Sequence, residues 1–84
     1  MSYTVRLTPT AKKHLAKIPK NFQDKIKVTL VALQNDPFLG KRLFGKYKDQ
    51  YSINVWPYRI IYEIHKNILL IIVLDIGHRQ GVYK

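Results

Sequence analysis

Four side chains carry the chemistry this sequence could perform. Arg59 lies inside an alternating apolar stretch, His78 and Arg79 stand together just past a longer apolar run, and Tyr83 follows near the end. Two guanidinium groups converging on one point can clamp a phosphate bidentately. They can also stabilise the charge that grows on phosphorus during nucleophilic attack, and a nearby tyrosine or histidine can move a proton. That set suffices for metal-free cleavage of RNA, in which the 2′-hydroxyl attacks its own phosphorus; DNA lacks that hydroxyl. The same arginines could instead form a structural salt bridge or grip phosphate without cutting, and spacing alone leaves these readings open.

Other chemistries find little support. His14, His65 and His78 are scattered, with no ligand pair at a usable metal spacing, so no metal or other cofactor is expected. There is no glycine-rich phosphate loop, paired catalytic carboxylates or serine elbow, and without cysteine there is neither a disulfide framework nor a thiolate site. Charge is more informative: 15 Lys and Arg face 5 Asp and Glu, a formal net charge of +10. Residues 1–48 hold 11 basic and 2 acidic side chains (net +9), and residues 49–84 hold 4 and 3 (net +1). Such a field favours a polyanion or a strongly acidic protein as partner. Lys41, Arg42, Lys46 and Lys48 crowd one loop, either a solvated face or a set of phosphate contacts. Trp56 could stack on a base or pack at a hairpin corner.

The elements that must position these groups read as one α+β domain over residues 1–84. Tyr3–Leu7 alternates as a strand with Tyr3, Val5 and Leu7 inward. Thr8-Pro9 caps a helix to about Lys17, with Ala11, Leu15 and Ile18 as its apolar stripe; Pro19 ends it. A second helix over about 21–34 carries Phe22, Ile26, Leu30 and Leu33, broadened by Val28, Val31 and Ala32. From 38 to 50 the pattern is aperiodic, pinned by Leu39, Leu43 and Phe44. Strands follow at 51–55, 58–64 and 68–74, with a short last one at Val82-Tyr83. In the second of these, Tyr58, Ile60, Tyr62 and Ile64 share one face, and Arg59, Ile61 and Glu63 the other. The two-helix hairpin should cover the former, leaving Arg59 on the open side with a local ion pair to Glu63 available. His14 and His65 are expected at the surface. The run Ile68–Leu74 is far short of the roughly 20 residues of a membrane span, and no export signal precedes Pro9. A cytoplasmic protein with no membrane partner is expected.

The segment Tyr58-Arg59-Ile60-Ile61-Tyr62-Glu63-Ile64, the hydrophobic strand after it, and Ile76-Gly77-His78-Arg79 followed by Val82-Tyr83 resemble the RelE/ParE toxin superfamily, on its RelE-like side. The likeness spans the chain, including Leu43-Phe44-Gly45 and the strand opening Tyr51-Ser52-Ile53. It implies a β-α-α-β-β-β fold and the toxin of a type II toxin–antitoxin system: a ribosome-dependent, metal-free endoribonuclease that cleaves mRNA in the A site of a 70S-type ribosome. It also implies a RelB-like acidic antitoxin that wraps the toxin. Carried over by motif, Arg59 braces the scissile phosphate, Arg79 stabilises the transition state or protonates the leaving oxygen, and Tyr83 stacks on the message and takes the 2′-proton. His78 stands where relatives vary among basic residues and could share acid–base work. Lys41, Arg42, Lys46 and Lys48 fall where the family meets ribosomal or messenger phosphates.

One departure matters. The family's best-known pattern has lysines at the outward positions that here are Ser52 and Asn54. Lys46 or Lys48 could supply the missing charge, the toxin could be weak, or Asn54 could be a disarming change. Neutral Ser52 and Asn54 also suit a ParE-like inhibitor of DNA gyrase, and a non-catalytic RNA- or protein-binding module is the third alternative.

Overall fold

The computed structural model describes residues 2–44 and 49–78. Its elements are β1 (Thr4–Leu7), α1 (Pro9–Ala16), α2 (Lys20–Asn35), β2 (Lys41–Arg42), β3 (Tyr51–Val55), β4 (Tyr58–His65) and β5 (Leu70–His78), with 3-10 turns at Pro37–Leu39 and Lys66–Ile68. The sheet runs β1-β5-β4-β3-β2. β2 to β5 are antiparallel neighbours, and β1 closes the other edge parallel to β5. This is the expected β-α-α-β-β-β architecture with both helices on one face, plus the short edge strand β2. The strand anticipated at Val82-Tyr83 lies outside the described residues.

Local chemistry sets the helices. Thr8 caps α1: its Oγ1 accepts from the Ala11 amide at 3.1 Å and donates to the Leu74 carbonyl at 2.9 Å, tying the helix start to β5. Ala11 and Ile18 are buried and Leu15 packs against them. The hairpin between helices is held by Gln23 Nε2, which donates to the Ile18 carbonyl at 2.8 Å. Along α2, Ile26 and Leu33 are fully buried, with Phe22 and Leu30 packed beside them. Ile26 and Leu33 each contribute about 1.5–3 kcal/mol of burial. Val28 and Val31 do not broaden this face; they are 69% and 57% exposed. At about 100° per residue they lie roughly 200° and 140° round the helix from Ile26, away from the sheet.

Across the sheet, Ile60, Tyr62, Ile71, Val73 and Ile76 complete the core. The inward residues of β5 change from odd to even between Val73 and Ile76. The cause is a bulge: Ile61 opposes Asp75 and Tyr62 opposes Val73, leaving Leu74 as the extra residue. The histidines expected at the surface both have acidic neighbours. His14 Nδ1 lies 2.6 Å from Asp75 Oδ1, joining α1 to β5, and His65 Nε2 lies 3.1 Å from Glu63 Oε1.

From Asp36 to Phe44 the chain is more ordered than its lack of periodicity implied. Leu39 and Phe44 do not pin it, being 51% and 78% exposed. The anchor is polar. Tyr62 Oη donates to the Pro37 carbonyl at 2.8 Å and accepts from the Gly40 amide at 3.1 Å, while the Leu43 amide reaches the Gln50 carbonyl at 2.8 Å.

Candidate functional site

On β3, Tyr51, Ile53 and Val55 pack into the core, so alternation turns Ser52 and Asn54 to the face without helices. The register then builds two cross-strand rows there. Lys41 of β2 stands opposite Ser52, which opposes Ile61; Asn54 stands opposite Arg59, which opposes Gly77. Between the rows and the edge strand lies a cleft of about 500 Å³ whose lining includes Gly40, Lys41, Arg42, Ser52, Asn54 and Arg59.

Within the cleft, Arg59 Nε donates to Asn54 Oδ1 at 2.8 Å. Arg42 Nη2 lies 3.4 Å from Asp49 Oδ1, an exposed pair of the kind worth little in water. The edge strand is held against the sheet by a close backbone approach. A Cβ on Gly40 would lie 2.5 Å from Tyr62 Oη and 2.6 Å from the Ser52 carbonyl oxygen, so no larger residue fits without displacement. Tyr62 stacks on Tyr51 with ring centroids 5.7 Å apart. Burial, above all, pushes its phenol up to about 12; the Gly40 amide opposes the shift, and Tyr51 and Asp36 add to it.

The sheet thus brings together Lys41, Ser52, Asn54 and Arg59 on one face, while Arg42, paired with Tyr51, borders the cleft from the edge strand. It does not bring His78 to them. The His78 ring meets Tyr58 edge-on at 6.0 Å, and Tyr58 meets Phe22 of α2 at 5.4 Å, so His78 belongs to the helix face. There it borders a second, separate groove of about 370 Å³ with His14, Lys17, Tyr58 and Asp75. Trp56, 66% exposed, occupies the β3–β4 turn, outside the lining of the basic cleft. Lys46, Lys48, Arg79 and Tyr83 lie outside the described residues. Sequence reasoning missed Gly40 and Tyr62 as the supports of the cleft, and Asn54 as the partner of Arg59. The last had a signal: a two-residue turn at Trp56-Pro57 forces Val55 opposite Tyr58 and hence Asn54 opposite Arg59. Among the described residues no group of three or more His, Cys, Asp or Glu side chains could hold a metal ion, and no helix is long and apolar enough to cross a membrane.

A profile of the ParE toxin of type II toxin–antitoxin systems, parDE, matches residues 5–83. The chain belongs to this toxin family. It is similar to Toxin RelG of Mycobacterium tuberculosis (strain ATCC 25618 / H37Rv), 29% identical over 86 residues that cover 100% of this chain and 99% of the relative. The toxin–antitoxin complex RelBE2 of Mycobacterium tuberculosis contains a chain that superposes with a TM-score of 0.88 at 28% identity, over 94% of this chain and 100% of that one. The Escherichia coli RelBE toxin–antitoxin complex gives 0.80 at 20% identity, over 92% and 96%. At that identity the likeness shows the fold alone. The RelE-like branch of the superfamily is thus the one to which this toxin-family chain is most akin.

Proposed function

We propose that this chain is the toxin of a type II toxin–antitoxin pair and a ribosome-dependent endoribonuclease. The observation that carries the reading is the cleft on the open face, where Arg59 and Lys41 stand among neutral side chains with Arg42 at its edge. A phosphate is what that charge suits, and a single-stranded message is what an uncovered sheet face can receive. In the proposed reaction the 2′-oxygen attacks the adjacent phosphorus as Tyr83 takes its proton. The bond from phosphorus to the 5′-oxygen breaks as that oxygen takes a proton from Arg79 or from water, leaving a 2′,3′-cyclic phosphate and a 5′-hydroxyl. Arg59 braces the phosphate and Arg79 stabilises the charge on the phosphoryl and leaving oxygens. The ring of His78 faces Tyr58, so this scheme gives it no place at the phosphate.

The charge that family lysines supply at the Ser52 position has a substitute in Lys41, directly across the β2–β3 ladder. Lys46 and Lys48 could add to it. The partner proposed for inhibition is an acidic antitoxin, partly disordered until it folds on the basic surface, as the RelBE2 pair supports by analogy. Its affinity should fall steeply with salt; an affinity indifferent to salt would sink this electrostatic account.

Ribosomes holding a defined message with an empty A site test the activity. The wild type should produce new 3′ ends in the A-site codon, mapped by primer extension, and Arg59→Ala and Arg79→Ala should produce none. Absence of cuts by the wild type would overturn the reading. The ParE name of the matching profile then favours the second reading, inhibition of DNA gyrase, tested by supercoiling with and without the protein.

A further inference from the structure

We infer that Asn54 is a positioning residue: it sets the plane of the Arg59 guanidinium on the open face without lowering the charge there. This rests on the reading of Arg59 as a phosphate ligand. Asn54 and Arg59 are directly paired across the β3–β4 hairpin, and Nε of Arg59 donates to Oδ1 of Asn54 at 2.8 Å. Arginine has donors only, so the carboxamide must present its oxygen to it. A bond to Nε fixes the guanidinium at its stem end and orients the fork of terminal nitrogens, the edge that recognises phosphate bidentately. On the other flank, Arg59 is opposite Gly77, which has no side chain to crowd it. The type of residue at 54 matters. An aspartate would accept the same hydrogen bond but bring a negative charge beside a phosphate site. A lysine would bring charge but no acceptor, and would repel the guanidinium. Asparagine is the choice that orients without neutralising, and it stands on a regular strand pair beside a short turn, a rigid platform for such a contact. The residue that looked like a loss of charge is in this account a gain of order.

The test separates this inference from the cleavage reaction. The probe is a short single-stranded RNA methylated at every 2′-oxygen, which cannot be cut by 2′-attack but keeps its phosphates. Asn54 is exposed, so its variants should fold, and denaturation midpoints verify this. Asn54→Ala should shift the NMR signal of the Arg59 Nε–H, identified by its absence in Arg59→Met, and weaken RNA binding about tenfold, the usual scale for one hydrogen bond to a charged group. In the Arg59→Met background Asn54→Ala should cost nothing further. Asn54→Asp should hold the Nε–H signal near its wild-type position yet weaken RNA binding, which a merely structural role would not predict. An unchanged signal and affinity in Asn54→Ala, or an equal loss in both backgrounds, would overturn the inference. If Arg59→Met binds RNA as the wild type does, Arg59 is no phosphate ligand and the inference falls with that reading. If the variants behave as expected while ribosome-bound message stays intact, the cleavage proposal fails alone.

Discussion

Replacing Tyr62 with phenylalanine removes one oxygen from the fully buried ring beneath the cleft. That oxygen donates to the Pro37 carbonyl at 2.8 Å and accepts from the Gly40 amide at 3.1 Å. Both backbone groups lose their partner on substitution, so the cost near neutral pH should be about 1–3 kcal/mol. The phenol also titrates far from its ordinary 10.0, at about 12, chiefly because burial disfavours the phenolate. The fold therefore favours the protonated form. Stability linked to Tyr62 is complete below pH 10.0, and is lost as pH rises towards and through about 12. Displacing the phenol from 10.0 to about 12 corresponds to roughly 2–3 kcal/mol. The assay is chemical denaturation of wild type and Tyr62→Phe from about pH 8 upward. Subtracting the two cancels the lysines and the other tyrosines, which titrate in both proteins. A gap of about 1–3 kcal/mol at the start should close by about pH 12. A gap that stays constant over this range would refute the assignment of the raised pKa to Tyr62, and no gap at the lowest pH would refute its anchoring role.

Gly40→Ala forces a methyl group against Tyr62 Oη and the Ser52 carbonyl, which should cost about 1–3 kcal/mol and weaken RNA binding by displacing Lys41; an unaltered denaturation midpoint would contradict it. Thr8→Ala loses both the cap of α1 and the bond to the Leu74 carbonyl, for about 1–2 kcal/mol by denaturation, with Thr8→Ser recovering most of it. Lys41→Ala should lower affinity for RNA and flatten its dependence on salt by about one phosphate contact, measured by titration at several salt concentrations. His78→Ala should leave A-site cleavage within about twofold of wild type, since a lost proton-transfer group costs about a hundredfold or more.

The fold was largely legible because the strands and helices obey their periods. The stripe of Phe22, Ile26, Leu30 and Leu33 lies on the sheet as read, and alternation about Ile60 and Tyr62 put Arg59 on the open face. Val28 and Val31 misled because apolar character alone does not say which side of a helix a residue is on; only the angle from Ile26 does. The 37–44 segment misled for a different reason. Its order comes from a phenol hydroxyl on a distant strand and from a glycine that permits backbone contact, and neither leaves a period in the local sequence. The pairing of β1 with β5 joins chain segments more than sixty residues apart, as in Val5 opposite Ile71, and no local pattern encodes such a partner. Of the candidate site, Arg59, Lys41 and Arg42 were found as charges, whereas the hydrogen bond that organises Arg59 needed the register.

One inserted residue decides which chemistry faces the cleft. Strict alternation from Ile71 and Val73 would turn Gly77 toward the helices and His78 toward Arg59. The extra residue at Leu74 reverses that parity, so that Ile76 is buried and His78 joins Tyr58. Gly77 is left opposite Arg59, where it adds no side chain beside the guanidinium. A site organised in this way does not gather every titratable group beside Arg59. It sets a glycine on one flank of the arginine and a neutral acceptor on the other, an arrangement suited to electrostatic preorganisation rather than to proton transfer within the sheet. On this view the bulge is as much a part of the cleft as Arg59, although none of its side chains lines it.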